Sequence, residues 1–168
     1  AEWDISGYQI VDAAGEDKAP AAAVALARSG EVATLMKGHV HTDALMKAVV
    51  NRDAGLRTGR RLSHVFHMTV PNSERVLLIT DGAVNVAPDT ATKIDIINNA
   101  VQLSHALGNT KPHVAMLSGT ESVINAMPSS VDAAEVVRRA NSGEVTGAVI
   151  DGPFAFDNAV SPEAALLK

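Results

Sequence analysis

Short apolar runs that alternate with helix-like segments are the feature that most constrains the fold of this chain. The runs are typical of buried strands, and they predict strands at residues 8–11, 32–36, 63–70, 75–80, 113–117 and 145–150. Helical spacing predicts helices at residues 19–29, 42–51, 88–107 and from Pro128 onwards. The alternation predicts an α/β fold with a mostly parallel sheet and helices on both faces. The short connection at residues 71–74 predicts one antiparallel pair.

The predicted helices also carry signals for their ends and their buried faces. Thr42 or Asp43 is expected to cap one helix, and Ser129 and Asp132 have the spacing of a capping box at another. The helix at residues 88–107 has two apolar stripes, so we expect neighbours to cover it on more than one side. The stripes consist of Ile94, Ile97 and Val101, and of Ile96, Ala100, Leu103 and Leu107.

The composition supports a globular domain and excludes several classes of protein. Hydrophobic residues make up 46% of the 168 residues and aromatic residues only 3%, so aliphatic side chains must form the core. The chain has no cysteine, which excludes a disulfide scaffold, a cysteine-ligated zinc site and a thiol nucleophile. We expect a soluble cytoplasmic protein, because the sequence shows neither a membrane-spanning apolar run nor a signal-peptide pattern.

Charge is distributed unevenly along the chain. The formal net charge is −5, but residues 37–61 contain six cations and two acids, and the acidic excess therefore lies elsewhere. An acidic protein with one basic stretch is a poor candidate for binding nucleic acid. The basic stretch predicts either a site for a small anion or a solvated, arginine-rich loop.

The loop after residues 32–36 has the chemistry of an anion site. In a parallel sheet, ligands sit at the carboxyl ends of the strands, where this loop is expected to lie. A helix N-terminus at Thr42 would offer free N–H groups to a phosphate, with Lys37 adding charge and Gly38 allowing close approach. His39 and His41 are candidates to hydrogen-bond the same anion. The alternative is an ordinary turn, and two histidines without a third ligand predict no metal site.

Three further predicted strand ends carry polar residues. Asp81 and Asn85 follow one strand and Ser118 another, where each is suited either to a substrate contact or to a local turn. Residues 151–158 place Asp151 and Asp157 on either side of an apolar, rigid turn. These two carboxylates are candidates for handling a proton, with a structural turn as the alternative.

Five segments together resemble one family, the phosphate acetyl/butyryl transferases. They are residues 35–43, 56–65, 78–85, 115–118 and 151–159, which stand in the family's order, and the resemblance runs over nearly the whole chain. The resemblance is closest to the butyryl-type branch and to the acyltransferase domain that some bacteria fuse behind a hydratase-like domain. It implies reversible transfer of an acyl group between coenzyme A and inorganic phosphate. Acyl-CoA and phosphate would be the substrates, with no tightly bound cofactor.

The resemblance also implies a fold, an assembly and a set of site residues. The fold would be two α/β subdomains like those of isocitrate and isopropylmalate dehydrogenases, with a subdomain change near residues 62–70. Members of the family are usually dimers or larger homo-oligomers. His41, Asp151 and Asp157 would serve catalysis. The substrate-binding candidates are Lys37, Gly38, His39, Thr42, Lys47, Arg57, Arg60, Arg61, Asp81, Asn85 and Ser118, of which Lys47 stands nearest to a family arginine.

Family members extend beyond both ends of this sequence, and residues 1–168 are therefore expected to be part of the acyltransferase domain. The later segments of the family are credited with activating the thiol, and no counterpart follows Lys168. This leaves two alternatives to an active enzyme. One is a fragment or module that binds coenzyme A or phosphate without catalysis. The other is an oxidoreductase on the same scaffold that acts on 2-hydroxyacids and needs an acidic metal cluster.

Overall fold

A computed structural model describes residues 4–71 and 74–167 of the chain. The residues form two compact units that meet in the sequence between Arg60 and Arg61. Within the described ranges, no helix is long and apolar enough to cross a membrane. The protein is a mixed α/β chain with small sheets and helices.

The first unit contains two helices. Helix α1 (Lys18–Ser29) buries Pro20 and Val24 and ends at Gly30, whose φ of +81° is a left-handed conformation that glycine adopts without strain. Helix α2 (Thr42–Val49) is two residues shorter than predicted, and its N-cap is His41 rather than Thr42 or Asp43. The basic residues that follow α2 lie in an irregular, exposed loop, as predicted.

The strands predicted at residues 8–11 and 32–36 are wrong. The structure assigns no strand within residues 4–60, and Tyr8 and Met36 are 73% and 95% exposed. A strand needs a neighbour to take up its backbone N–H and C=O groups, and a short apolar run cannot show that such a neighbour exists. The loop at residues 37–42 therefore does not follow a strand.

The second unit contains two separate strand pairs instead of one mostly parallel sheet. Strands β1 (Val65–Thr69) and β2 (Val76–Thr80) pair antiparallel, which confirms the predicted hairpin. Asn72 and Ser73 of the predicted connection lie outside the described residues. Strands β3 (His113–Leu117) and β4 (Val149–Phe154) pair parallel, with Ala115 opposite Asp151 and a bulge before Leu117.

The core of the second unit lies between helices α3 and α4 and strand β4. Helix α3 (Thr90–Ala106) starts where Asp89 accepts a hydrogen bond from the N–H of Thr92 at 2.8 Å. The first predicted stripe is buried throughout, whereas the second is buried at Ile96 and Ala100 but exposed at Leu103 and Leu107. Helix α4 (Pro128–Arg139) continues into a π-helical turn, Ala140–Glu144. The core cluster comprises Ile94, Ile97, Val101, Val136, Ala140, Val145 and Ile150.

Two sequence signals in this unit are corrected by the structure. The capping box at Ser129 and Asp132 does not form, because Ser129 bonds the hydroxyl of Ser118 and Asp132 pairs with Lys93 at 2.6 Å. The last strand begins at Val149 rather than at Val145, although Val145 is buried. Two short helices follow this strand, α5 (Phe156–Val160) and α6 (Pro162–Leu166).

A buried hydroxyl fastens the start of helix α4 and gives the first prediction. Ser130 is 0% exposed, and its Oγ accepts from the N–H of Ile124 at 2.9 Å and donates to the carbonyl of Met127 at 2.8 Å. Ser130→Ala should lower the free energy of unfolding by about 1–3 kcal/mol, because both backbone groups lose a partner. Denaturant unfolding measures this. Ser142→Ala, which removes an exposed hydroxyl bonded to Arg139, is the control, and an equal loss in both variants would contradict the account.

Candidate functional site

The loop at residues 37–42 leads into the N-terminus of helix α2. Its polar residues are exposed, and the Nζ of Lys37 reaches the carbonyl of Val40 at 3.4 Å. An added Cβ at Gly38 would meet nothing within 4 Å, so open space surrounds this glycine. Helix α2 begins at Thr42, as the anion-site hypothesis requires, and its first N–H groups carry the positive end of the helix dipole.

A shallow depression of about 280 Å³ lies beside the same helix and is more acidic than the sequence suggested. The Nε2 of His41 lies 3.5 Å from a carboxylate oxygen of Glu16, and the Nζ of Lys47 lies 3.7 Å from one of Asp17. The lining residues are Glu16, Asp17, His41, Asp43, Ala44 and Lys47. Sequence reasoning missed Glu16 and Asp17, although the acidic excess outside residues 37–61 was a signal for carboxylates near the basic groups.

The three candidate arginines are all exposed. Arg57 and Arg60 lie in the loop that ends the first unit, and Arg61 is the first residue of the second unit. The backbone N–H of Arg61 donates to the carboxylate of Asp95 at 2.9 Å. Exposed arginine side chains are suited to contact an anionic substrate. The bond to Asp95 fixes the backbone from which the side chain of Arg61 extends.

Asp81 organises the loop that follows strand β2. One carboxylate oxygen accepts the backbone N–H groups of His64, Ala83 and Val84 at 3.1–3.3 Å, and the other accepts from the backbone and side chain of Asn85. Burial acts to raise the pKa of Asp81, but these hydrogen bonds together lower it below its ordinary value. Asp81 thus remains an ionised anchor for the loop, and Asn85 also bonds the carbonyl of Leu62 at 3.0 Å.

The lowered pKa of Asp81 predicts a specific pH dependence of stability. A carboxyl whose pKa is lower in the folded protein stabilises the fold above its unfolded pKa, and it loses this contribution as the pH falls through the folded value. Asp81→Asn should therefore unfold more easily than the wild type at pH 7, and the difference should shrink below the ordinary value of 3.8. Urea unfolding between pH 2 and pH 7 checks this, with the exposed Asp53→Asn as the control. A constant difference would contradict it.

The carboxyl ends of strands β3 and β4 lie side by side, as expected for a parallel pair. The N–H of Ser118 donates to the carbonyl of Phe154 at 2.8 Å, and its hydroxyl lies 2.9 Å from that of Ser129. Beyond this edge the side-chain amide of Asn158 donates to the carboxylate of Glu121. Glu121 lies in the loop after β3 and Asn158 in helix α5, and sequence reasoning selected neither as a site residue.

The two proposed proton-handling carboxylates occupy different elements. Asp151 lies inside strand β4, not in a loop after it, and its carboxylate accepts the N–H of Gly152 at 2.8 Å. Asp157 lies in helix α5, beyond the strand's end. The strand extends four residues further than predicted, which moves Asp151 away from the carboxyl edge. Across residues 4–71 and 74–167, no three His, Asp or Glu side chains form a group that could hold a metal ion.

Comparisons with known proteins point to one family. The family described as phosphate acetyl/butaryl transferase matches residues 8–168. A phosphate acetyltransferase of Rhizobium meliloti is 47% identical over 98% of this chain and 52% of its own length. A phosphate butyryltransferase of Clostridium beijerinckii is 44% identical over 96% of this chain and 54% of its own length. The chain thus spans about half the length of the curated relatives it matches.

A solved structure agrees with these matches. The crystal structure of a branched-chain phosphotransacylase from Enterococcus faecalis superposes with a TM-score of 0.82 and 35% identity, over 94% of this chain and 56% of the other. The sequence matches confirm the resemblance carried by the five segments, and the superposition agrees with them. The chain belongs to the phosphate acetyl/butaryl transferase family.

Proposed function

We propose that the protein is a phosphate acyltransferase that moves an acetyl- or butyryl-type acyl group reversibly between coenzyme A and inorganic phosphate. The observation that carries the proposal is the family match over residues 8–168. In the direction of acyl-CoA synthesis, the thiol of coenzyme A gives its proton to a base or to water, and its sulfur attacks the carbonyl carbon of an acyl phosphate. A carbon–sulfur bond forms, the carbon–oxygen bond to phosphate breaks, and phosphate leaves with its electron pair.

The chemistry sets two demands on the site. A free thiol has a pKa of about 8.5, so a base or cationic surroundings must favour the thiolate. Negative charge also grows on the carbonyl oxygen and on the departing phosphate, where fixed N–H groups and cations lower the barrier. The chain's own exposed cations and the N-terminus of α2 are suited to the second demand. The absence of cysteine from these 168 residues is consistent with single-step transfer, and a serine acyl-enzyme is the alternative.

We assign roles on this basis as part of the proposal. Lys37, Gly38, His39 and Thr42 would hold the phosphate end, with His41 beside the reacting groups. Arg57, Arg60 and Arg61 would hold the phosphates of coenzyme A, and Asp151 and Asp157 would orient groups or move a proton. The remaining substrate contacts would come from Lys47, Asp81, Asn85 and Ser118. Asp81 and Asn85 are well placed to order the loop next to strand β1.

We further propose that residues 1–168 are part of a larger fold of two α/β subdomains, similar to that of isocitrate and isopropylmalate dehydrogenases. A change of subdomain near residues 62–70 would lie close to the division at Arg60 and Arg61. The protein would act in the cytoplasm as a homodimer or larger homo-oligomer. Coenzyme A would enter and leave as a substrate rather than stay as a bound cofactor.

Phosphate-dependent release of free thiol tests the proposal. The protein is incubated with acetyl-CoA or butyryl-CoA, with and without phosphate, and free thiol is followed by a colorimetric reagent. We expect thiol release that requires phosphate, and the faster substrate gives the preferred acyl length. Calorimetric titration with coenzyme A runs in parallel. Binding without thiol release would favour the non-catalytic binding module. If the protein shows no binding and no thiol release, both the acyltransferase and the binding module are overturned.

A further inference from the structure

Side chains, rather than a strand ladder, hold the backbone of residues 61–64. This segment is irregular and leads into strand β1. The N–H and C=O groups of Arg61, the C=O of Leu62 and both backbone groups of His64 bond to side chains from other elements. The backbone N–H and C=O groups of an exposed loop usually bond to water. Because side chains bond so many of them here, the position of this segment is fixed by the fold.

Helix α3 supplies two of these side chains, Asp95 and Asn99, which we call the clamp. The carboxylate of Asp95 accepts the N–H of Arg61 at 2.9 Å, and the side-chain amide of Asn99 donates to the C=O of Arg61 at 2.9 Å. Asp95 and Asn99 are four residues apart, so they project from the same face of the helix. The second hydrogen of the Asn99 amide reaches the hydroxyl of Ser63, also at 2.9 Å. Two side chains of one helix therefore fix the peptide groups on both sides of Arg61.

Residues at and after the end of strand β2 supply the other side chains that bond this segment. Asp81 accepts the N–H of His64 at 3.1 Å, and the hydroxyl of Thr80 donates to the C=O of His64 at 2.7 Å. Asn85 holds the C=O of Leu62. These bonds align the segment with β1 whether or not Arg61 has a role. The bonds from α3 are different, because they converge on the backbone of a residue whose side chain faces solvent.

The side chain of Arg61 is exposed and forms no salt bridge with a described carboxylate. Asp95 uses its carboxylate on the backbone N–H instead. The electrostatic influence of Arg61 reaches Asp89, whose carboxylate is already engaged in capping α3. A fixed backbone beneath an exposed arginine without a salt bridge suits recognition of an anion, since less freedom is lost when the anion binds.

We propose that Asp95 and Asn99 are positioning residues that hold Arg61 for a phosphate group of the substrates. The inference rests on the proposed function. The phosphate group is either inorganic phosphate or one of those on coenzyme A, and the two Michaelis constants distinguish them. If the clamp acts through Arg61, loosening it should weaken binding of that substrate and leave the rate at saturation largely unchanged.

A double-mutant cycle between Asn99 and Arg61 tests this. Arg61→Ala removes the side chain beyond Cβ but keeps the N–H and C=O that Asp95 and Asn99 hold. We expect Asn99→Ala alone to raise one Michaelis constant roughly threefold to tenfold, which corresponds to ordering one flexible side chain. In the Arg61→Ala background the same change should have no further effect on that constant. Asp95→Ala should behave like Asn99→Ala, whereas Asp95→Asn, which retains an acceptor, should restore the wild-type constant.

Asn98→Ala is the matched control, because Asn98 lies on the same helix but bonds the carbonyl of Glu144 instead. The inference is overturned if Asn99→Ala changes nothing, or if its effect is equal in both backgrounds, as a merely structural role would give. If turnover is undetectable, calorimetric affinities for coenzyme A and for phosphate replace the Michaelis constants in the same cycle. A wild type that neither reacts nor binds would overturn the proposed function together with the inference. An active wild type with an additive cycle would overturn the inference alone.

Discussion

Gly152→Ala should destabilise the second unit by about 2–5 kcal/mol, because it combines a strained backbone conformation with a steric clash. Gly152 lies in strand β4 next to the bulge, with a φ of +142°. A Cβ at this position would stand 2.7 Å from the carbonyl oxygen of Met116 and 2.8 Å from its Cβ. The obstacle includes backbone, so the parallel pair itself would have to separate. Chemical unfolding of the purified variant measures the loss.

Gly108→Ala separates the two causes of this loss. Gly108 also has a positive φ, +94°, but an added Cβ there would meet nothing within 4 Å. Gly108→Ala should therefore lower the free energy of unfolding only through backbone strain, by about 1–2 kcal/mol. The excess in Gly152→Ala reports the close approach of β4 to β3. Equal losses in the two variants would contradict the described register of these strands.

Arg61→Ala should raise the Michaelis constant for phosphate or for coenzyme A about tenfold to a hundredfold, with a smaller effect on the rate at saturation. The guanidinium offers two parallel hydrogen bonds to a phosphate group, and charge-assisted bonds of this kind contribute roughly 1.5–3 kcal/mol. Because the side chain of Arg61 is exposed, its removal should leave the fold intact. Steady-state kinetics with each substrate varied in turn measures the two constants.

Arg138→Ala is the control for this variant. Arg138 is also an exposed arginine, but it pairs with Glu135 on the surface of helix α4 and has no assigned substrate role. Removing it makes the net charge more negative by one, as Arg61→Ala does, and should leave both constants near the wild-type values. Lys37→Ala tests the loop before α2 in the same way, and it should raise the constant for phosphate. If neither Arg61→Ala nor Lys37→Ala changes a constant, the assignment of the basic stretch to substrate phosphates is wrong.

Local patterns predicted the elements that depend on local interactions. Helix α3 follows from its apolar spacing, from Asp89 at its start and from Gly108 after its end. The β1–β2 hairpin follows from two apolar runs separated by a short connection. In these cases the residues that determine the element lie inside it or next to it.

The failures concern partners that are distant in sequence. An apolar run at residues 32–36 is compatible with a strand, but no paired strand is described in its unit. Val145 is buried as predicted, yet it packs in the core just after a π-helical turn and lies outside β4. The burial of Val145 could therefore be predicted from its hydrophobicity. Whether it belongs to a strand depends on pairing with β3, which its own sequence does not show.

In the candidate site, too, local features could be predicted from the sequence and distant contacts could not. Asp81 stood out because it is an acid beside a glycine after a strand, and the structure makes it the anchor of its loop. Asp95 and Asn99 did not stand out, because single polar residues on a helix resemble ordinary solvated positions. Their bonds to Arg61 span more than 30 residues of sequence. Only the fold brings such groups together.

Simultaneous detection of both products tests the central claim most directly. The protein is incubated with acyl-CoA and inorganic phosphate while free thiol is titrated and acyl phosphate is followed by phosphorus NMR. The account predicts that the two products appear in equal amounts and only when phosphate is present. Thiol released without acyl phosphate would indicate hydrolysis or another acceptor, and it would contradict acyl transfer to phosphate.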